Sequence, residues 1–220
     1  MNANNQEALN NQRQHWDNMY VCNQEMFGTK PSESAIKAAE LFKESGVKAI
    51  LELGAGQGRD TMFFAECGFM VYALDYSDKG VQAIEEKAKA LGLSDKVVAI
   101  KHDMREALPF EDNFFDACYS HMFFCMALMT EELEYVSSEI ARILKPKGIN
   151  IYTTRSTNDA HYETGIHRGD DMYEVNGFIV HFFSMEKVQH LAQGFRLEEV
   201  SEFEEGELPR RLYYVVMRSE

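Results

Sequence analysis

The segment Ala49-Ile50-Leu51-Glu52-Leu53-Gly54-Ala55-Gly56-Gln57-Gly58-Arg59-Asp60 constrains this chain more than any other. Its apolar half ends in an acid, three glycines follow at alternate positions, and a helical pattern begins at once. Such a run is a strand feeding a tight turn into a helix, the place where open α/β sheets take nucleotide-like ligands. Glycines let the backbone turn sharply and let a ligand approach with no Cβ in the way. A dinucleotide loop spaces its glycines G-x-G-x-x-G and rests a pyrophosphate on the helix N-terminus. Here the third glycine comes one residue early, and Glu52 stands two residues before the first. A carboxylate there opposes a pyrophosphate and suits a ligand carrying an ammonium group. On this motif alone a glycine-rich turn without a ligand stays open.

Two further carboxylates follow at successive strand ends. Phe69 to Leu74 (FMVYAL) has the composition of a buried strand, and Asp75 stands at its carboxyl end before Tyr76 and Ser77. An acid at that point accepts both hydroxyl hydrogens of a ribose, about 20 residues after such a loop. Lys96 to Lys101 (KVVAIK) is a third strand, followed by His102-Asp103-Met104. Taken singly, Asp75 also suits a helix N-terminal acid before Ser77, and Asp103 a turn residue. The ordered series of three is hard to match by chance.

The E-x-G-x-G-x-G run resembles motif I of the class I S-adenosylmethionine-dependent methyltransferases. The resemblance extends over Leu108-Pro109-Phe110 and Asn113 to Cys118, similar to the LPF…FD segment of small-molecule methyltransferases. It includes Lys145-Pro146-Lys147-Gly148, which resembles their LKPGG turn with lysine in place of the first glycine. Small single-domain enzymes related to ubiquinone/menaquinone and tellurite-resistance methyltransferases are the suspected relatives. The resemblance implies a Rossmann-like three-layer α/β sandwich with sheet order 3-2-1-4-5-7-6 and strand 7 antiparallel. It implies S-adenosyl-L-methionine as cofactor. Glu52, Gly54, Ala55, Gly56, Gly58 and Asp60 would then shape the methionine end, with Ser120 at the end of the fourth strand. Asp75 and Tyr76 would serve the ribose, and Asp103 and Met104 the adenine.

At 220 residues the chain can bury one α/β core without staples. The excess of 36 Asp and Glu over 22 Lys and Arg, a formal charge of −14, argues against nucleic acid as a partner. Six glutamates between Glu198 and Glu207 are most simply a solvated surface. No stretch approaches the roughly 20 apolar residues of a membrane span, and the first residues carry no signal-peptide core. Cys22, Cys67, Cys118 and Cys125 form no CxxC pair, so they are expected to be reduced thiols in a cytoplasmic protein. No Cys or His cluster has metal-ligand spacing. Nothing in the pattern fixes the oligomeric state.

Elements alternate as a parallel sheet requires. Helices are expected over 6–20, from Pro31 through Lys43, over 59–66 and 78–91, from Thr130 to before Pro146, and over 184–192. Strands are expected over 49–53, 69–74, 96–101, 114–120, 149–154, 196–203 and 212–217, the last two flanking a turn around Gly206 and Pro209. One domain spans 1–220, with residues 1–30 as an N-terminal helical lid. From Arg155 the alternation breaks, and 155–183 is expected to be an insertion over the acceptor pocket with no helix of its own.

Methyl transfer asks the protein mainly for position and desolvation. Acceptors that carry a proton also need a base. His121, at the end of the fourth strand, is the candidate base, with a plain hydrogen-bonding role as its alternative. His161, His167, His181, Tyr162, Tyr173, Arg155 and Arg210 are weaker candidates for the acceptor pocket. Trp16 and Tyr20, spaced i and i+4, share a helical face and are expected to fold over the cofactor. The expected activity is methylation of a small molecule. Protein-directed methylation, a nicotinamide-dependent oxidoreductase and an inactive cofactor-binding module are the alternatives.

Overall fold

A computed structural model describes residues 3–206 and 210–220. Helices α1 (Ala3–Asn10), α2 (Gln12–Cys22) and α3 (Glu33–Glu44) precede a central sheet. Its first strands are β1 (Ala49–Leu53), β2 (Met70–Asp75), β3 (Val97–Lys101) and β4 (Phe115–His121), with α4 (Arg59–Glu66) after β1 and α5 (Asp78–Ala90) after β2. The chain continues through α6 (Thr130–Ile143), β5 (Leu144–Arg155), β6 (Ile166–Gly169), β7 (Met172–Val175), β8 (Phe178–His181) and α7 (Met185–His190). It closes with β9 (Phe195–Glu205) and β10 (Arg210–Ser219).

The large sheet has the order β3-β2-β1-β4-β5-β10-β9. Leaving the insertion strands β6 to β8 out of the count, this is the expected 3-2-1-4-5-7-6. β10 runs antiparallel to both β5 and β9, while the other described pairings in this sheet are parallel. β1 lies between β2 and β4, buried on both faces, which is why Ile50, Leu51 and Leu53 are all fully enclosed. Alternation along the strand sends Leu51 and Leu53 to one core, with Leu133, Val136 and Ile140 of α6. It sends Ile50 to the other, with Ala35, Ala38 and Phe42 of α3 and Phe64 of α4.

The helix starts follow from capping chemistry. Ser32 accepts from the Ala35 amide at α3, and Ser77 accepts from the Gly80 amide at α5, each satisfying an otherwise orphaned N–H. At α4 the cap is Gly58 in the left-handed region, φ +79°.

Three features differ from expectation. The N-terminal segment forms two helices broken at Asn11 rather than one over 6–20. The insertion, expected only to lack a helix, folds as its own antiparallel sheet, β6-β7-β8, for which no strands were expected. Its β7–β8 turn is Asn176-Gly177, with φ of +53° and +83°, the pairing that favours a tight hairpin. Thirdly, β5 begins at Leu144 and runs through Pro146. The turn expected around Gly206 and Pro209 falls partly on 207–209, outside the described residues.

The N-terminal helices and the insertion meet. Gln12 Nε2 donates to the Gly177 carbonyl at 3.0 Å, and the Ile179 amide donates to Gln12 Oε1 at 3.3 Å. Trp16 packs on Phe178 with ring centroids 5.0 Å apart. On its other side α2 is tied to the start of α5, where Ser77 Oγ donates to Asp17 Oδ1 at 2.5 Å.

Candidate active site

A cavity of about 910 Å³ opens at the carboxyl ends of β1, β2 and β4. Its floor is the loop Gly54 to Gln57. The N-terminal helices contribute Trp16 and Tyr20 to the wall, and the insertion contributes Tyr173 to Phe182. Trp16 and Tyr20, one helical turn apart, lie 5.6 Å apart at their ring centroids.

Two of the three loop glycines border the cavity. A Cβ on Gly54 (φ +66°) would come within 2.9 Å of Phe123 Cβ, and one on Gly56 (φ +56°) within 3.0 Å of the Tyr20 hydroxyl. The third does something else. Gly58 does not line the cavity, and a Cβ there would sit 2.8 Å from Ile84 Cγ1, so its smallness packs α4 against α5. A fourth glycine, absent from the motif, belongs with them: a Cβ on Gly80 would meet the Gly56 carbonyl at 2.6 Å. Its signal is the G three residues past the Ser77 cap.

Asp75 fixes the loop from below. Its Oδ2 accepts from the Gly56 amide and its Oδ1 from the Ser77 amide, both at 2.8 Å. Burial pushes its pKa up to about 6, against the pull of those two N–H donors. Glu52 is also buried, and it accepts from Thr61 Oγ1 at 2.5 Å. Burial, with the Asp60 carboxylate nearby, raises Glu52 to about 8, outweighing Thr61 and Arg59. Asp60 lines the cavity too, but its oxygens accept from the Ser32 amide at 2.8 Å and Ser32 Oγ at 2.7 Å.

Tyr76, Asp103 and Met104 gather on the far side of the loop. Burial, with the Asp75 charge beside it, drives the Tyr76 phenol up. Asp103 is held by Arg105, which donates from Nε at 3.0 Å and Nη2 at 2.6 Å. Partial burial works to raise the Asp103 pKa, but the Arg105 bonds win and it stands below the usual range. Ser120 is fully buried, its Oγ without a partner among the described residues, and it does not reach the cavity lining.

His121 does reach it. Its Nδ1 lies 2.9 Å from Thr153 Oγ1 and 3.0 Å from Ser34 Oγ, and its Nε2 lies 3.1 Å from Glu205 Oε2. Both ring nitrogens thus have neighbours, and the ring is anchored to the buried Ser32, Ser34 and Tyr119 hydroxyls. Glu205 corrects the reading of 198–207 as uniformly solvated. It ends β9, lines the cavity and stands below the usual carboxylate range, because His121 outweighs the burial that works against it.

Of the weaker candidates, Arg155, His161, Tyr173 and Arg210 line the cavity, while Tyr162, His167 and His181 do not. The Tyr162 hydroxyl donates to Asp171 at 2.9 Å. His181 is fully enclosed, 2.7 Å from the Leu128 carbonyl and 2.5 Å from Lys187 Nζ, and burial pushes its pKa down to about 4. Cys118 and Cys125 are buried, and burial pushes both thiols up, Cys125 to about 11. They are not poised as nucleophiles. No helix of the described residues is long and apolar enough to cross a membrane.

Residues 50–148 match the family model described as a methyltransferase domain. Over 143 residues the chain is 30% identical to a glycine/sarcosine/dimethylglycine N-methyltransferase of Actinopolyspora halophila, covering 64% of this chain and 25% of that protein. The chain therefore spans about a quarter of that relative's length. Among solved structures, a 1,6-didemethyltoxoflavin-N1-methyltransferase of Burkholderia thailandensis superposes with a TM-score of 0.75 at 17% identity, over 100% of this chain and 91% of that one. The [4+2]-cyclase SpnF superposes at 0.69 and 18% identity, over 94% and 96%. Those two likenesses speak for fold alone. Residues 50–148 thus carry a methyltransferase domain, and the sheet order is the Rossmann-like methyltransferase fold that the resemblance to class I S-adenosylmethionine-dependent methyltransferases implies.

Proposed function

We propose that this chain transfers a methyl group from S-adenosylmethionine to a small-molecule acceptor. The residues present fit such a cofactor. Gly54 and Gly56 leave open the two places a Cβ would fill, and two buried carboxylates, Glu52 and Asp75, stand where an ammonium and a ribose need acceptors. When bound, the cofactor supplies an electrophilic methyl on a sulfonium, which leaves as the acceptor's lone pair forms the new bond.

The chain's own part is placement. Glu52 holds the ammonium, Asp75 the ribose hydroxyls with Tyr76 beside them, and Asp103 and Met104 the adenine. Ala55 and Gly56 present backbone, Asp60 supports the start of α4, and Gly58 and Ser120 support the loop and the β4 end from behind. Trp16 and Tyr20 close the cavity from the N-terminal side, so that residues 1–30 act as a lid. The insertion, 155–183, covers the acceptor side, where it meets the lid through Gln12 and Trp16.

With Nδ1–H donating to the Thr153 or Ser34 hydroxyl, His121 Nε2 takes the acceptor's proton where there is one, and the Nε2–H so formed donates to Glu205. The 3.1 Å approach of Nε2 to Glu205 supports this pairing. A positioned base of this kind is worth roughly 10²- to 10⁴-fold in rate.

A single observation carries the choice of a small acceptor. The cavity is walled by two separate segments that meet through the Gln12 hydrogen bonds and the Trp16–Phe178 ring contact, leaving a partly covered recess rather than a flat surface. Incubation with methyl-labelled S-adenosylmethionine and a host extract, split into metabolite and protein fractions, tests it. Label in the metabolite fraction is expected. Label confined to protein would overturn the small-molecule reading. Replacement of His121 by Ala should lower turnover while leaving cofactor affinity in place.

A further inference from the structure

The acceptor half of the cavity carries basic groups that the methyl-transfer chemistry does not use. Arg155 ends β5 and Arg210 opens β10, and both line the cavity with His161. In the sheet order β5 lies two strands from β1 and β10 lies three. At about 4.8 Å per strand these positions stand roughly 10 and 14 Å from the glycine-loop strand, beyond β4 and away from Asp75 and Asp103. They belong to the acceptor's side.

Their partners are unequal. Arg155 is nearly enclosed and donates to Asp159 from Nε at 2.8 Å and Nη2 at 2.6 Å, with Nη2 also 3.0 Å from His161 Nδ1. Asp159 therefore locks the orientation of Arg155, and Nη1 keeps no partner among the described residues. Arg210 differs, since its guanidinium has no hydrogen bond or ion pair among the described residues. Its cross-strand neighbour is Glu205, whose carboxylate approaches His121 instead. In a chain of formal charge −14, an arginine fork bordering a cavity without a contacting acid among the described residues is a distinctive feature.

A planar fork of this kind matches a carboxylate in two parallel N–H···O bonds. The surrounding wall is apolar, from Met126, Leu128, Ile179, Val180 and Phe182. Resting on the methyl-transfer reading, we propose that Arg210, with Arg155 and His161, forms a carboxylate-recognising subsite, so that the methyl acceptor is an organic acid with an apolar body.

Ligand-observed NMR on the protein loaded with S-adenosylhomocysteine tests this with matched probes: benzoate, phenylacetate and indole-3-acetate against their carboxamides. At least one acid should bind tenfold or more tightly than its amide. Arg210→Gln should erase that preference while melting temperature and S-adenosylhomocysteine affinity stay as in the parent chain. Arg210 is the variant of choice because Arg155→Gln would strip the buried Asp159 of its main donors. Acids and amides that bind alike, or neither binding, overturn the proposal. So does an Arg210→Gln chain that keeps the preference, or one that loses S-adenosylhomocysteine, which would assign the arginine to the cofactor's own carboxylate. Failure of the parent chain to bind S-adenosylhomocysteine refutes the methyl-transfer reading instead. The acid-over-amide comparison on the unloaded protein then still decides the subsite.

Discussion

Cofactor affinity should depend on pH through Glu52, with a sign and size fixed by its burial. In the free protein burial and the nearby Asp60 hold the Glu52 proton up to about pH 8. Only the ionised form attracts the ligand's ammonium. With that pKa, about 1% of the protein is ionised at Glu52 at pH 6 and about half at pH 8, by simple titration. Affinity should therefore rise about 50-fold from pH 6 to pH 8, roughly 2.3 kcal/mol, with close to one proton released on binding at the acid end. Asp75, raised to about 6, adds to the same direction and contributes about a further twofold at pH 6, with about half a further proton released there. Calorimetric titration with S-adenosylhomocysteine in two buffers of different ionisation enthalpy reads both slope and proton count. The window ends at pH 8, above which the ligand's amino group loses its own proton. A flat profile, or an equal slope in Glu52→Gln, would refute the reasoning.

Three other outcomes follow from the same geometry. Gly54→Ala places a methyl 2.9 Å from Phe123 Cβ in a left-handed backbone, so it should cost about 1–3 kcal/mol and lower the melting temperature by several degrees. An unchanged melt would contradict the packing seen there. Asp75→Ala should weaken S-adenosylhomocysteine by at least tenfold. It should also cost about 1–3 kcal/mol of stability, because the Gly56 and Ser77 amides lose their acceptor, and calorimetry with thermal melting separates the two effects. Lys147 sits exposed at φ +66°, so Lys147→Gly should raise the melting temperature by roughly 2–4 °C, about 1 kcal/mol of relieved strain. A drop in melting temperature would show that backbone entropy dominates at this turn.

The fold was legible because its signals are local. The strand–glycine–helix run at 49–60, the caps at Ser32 and Ser77, and the acids at successive strand ends each declare themselves within a few residues. The insertion was half legible. Its boundaries follow from the broken alternation, and Asn176-Gly177 is the short-range signal of its hairpin. Asp170-Asp171, at φ +50° and +58°, makes the companion turn between β6 and β7 with no glycine to mark it.

Glu205 was not legible, because its role depends on β9 lying at the sheet edge with its last residue turned toward His121. In sequence it is one glutamate among six. Gly58 and Gly80 show the converse difficulty. The spacing identified Gly58 as a ligand glycine, but the close approach of Ile84 assigns it to helix packing, while Gly80 is the residue that lets α5 approach the loop. Tertiary distance, rather than motif spacing, decides between such roles.

The central claim is that the loop at 54–58 and the acids Glu52, Asp75 and Asp103 take S-adenosylmethionine. Isothermal titration with S-adenosylhomocysteine at pH 8, with NADH as the control, tests it most directly. The account predicts one-to-one binding in the micromolar range for the first and none for the second. NADH binding, or no binding of S-adenosylhomocysteine by a chain whose melting shows it to be folded, would contradict it.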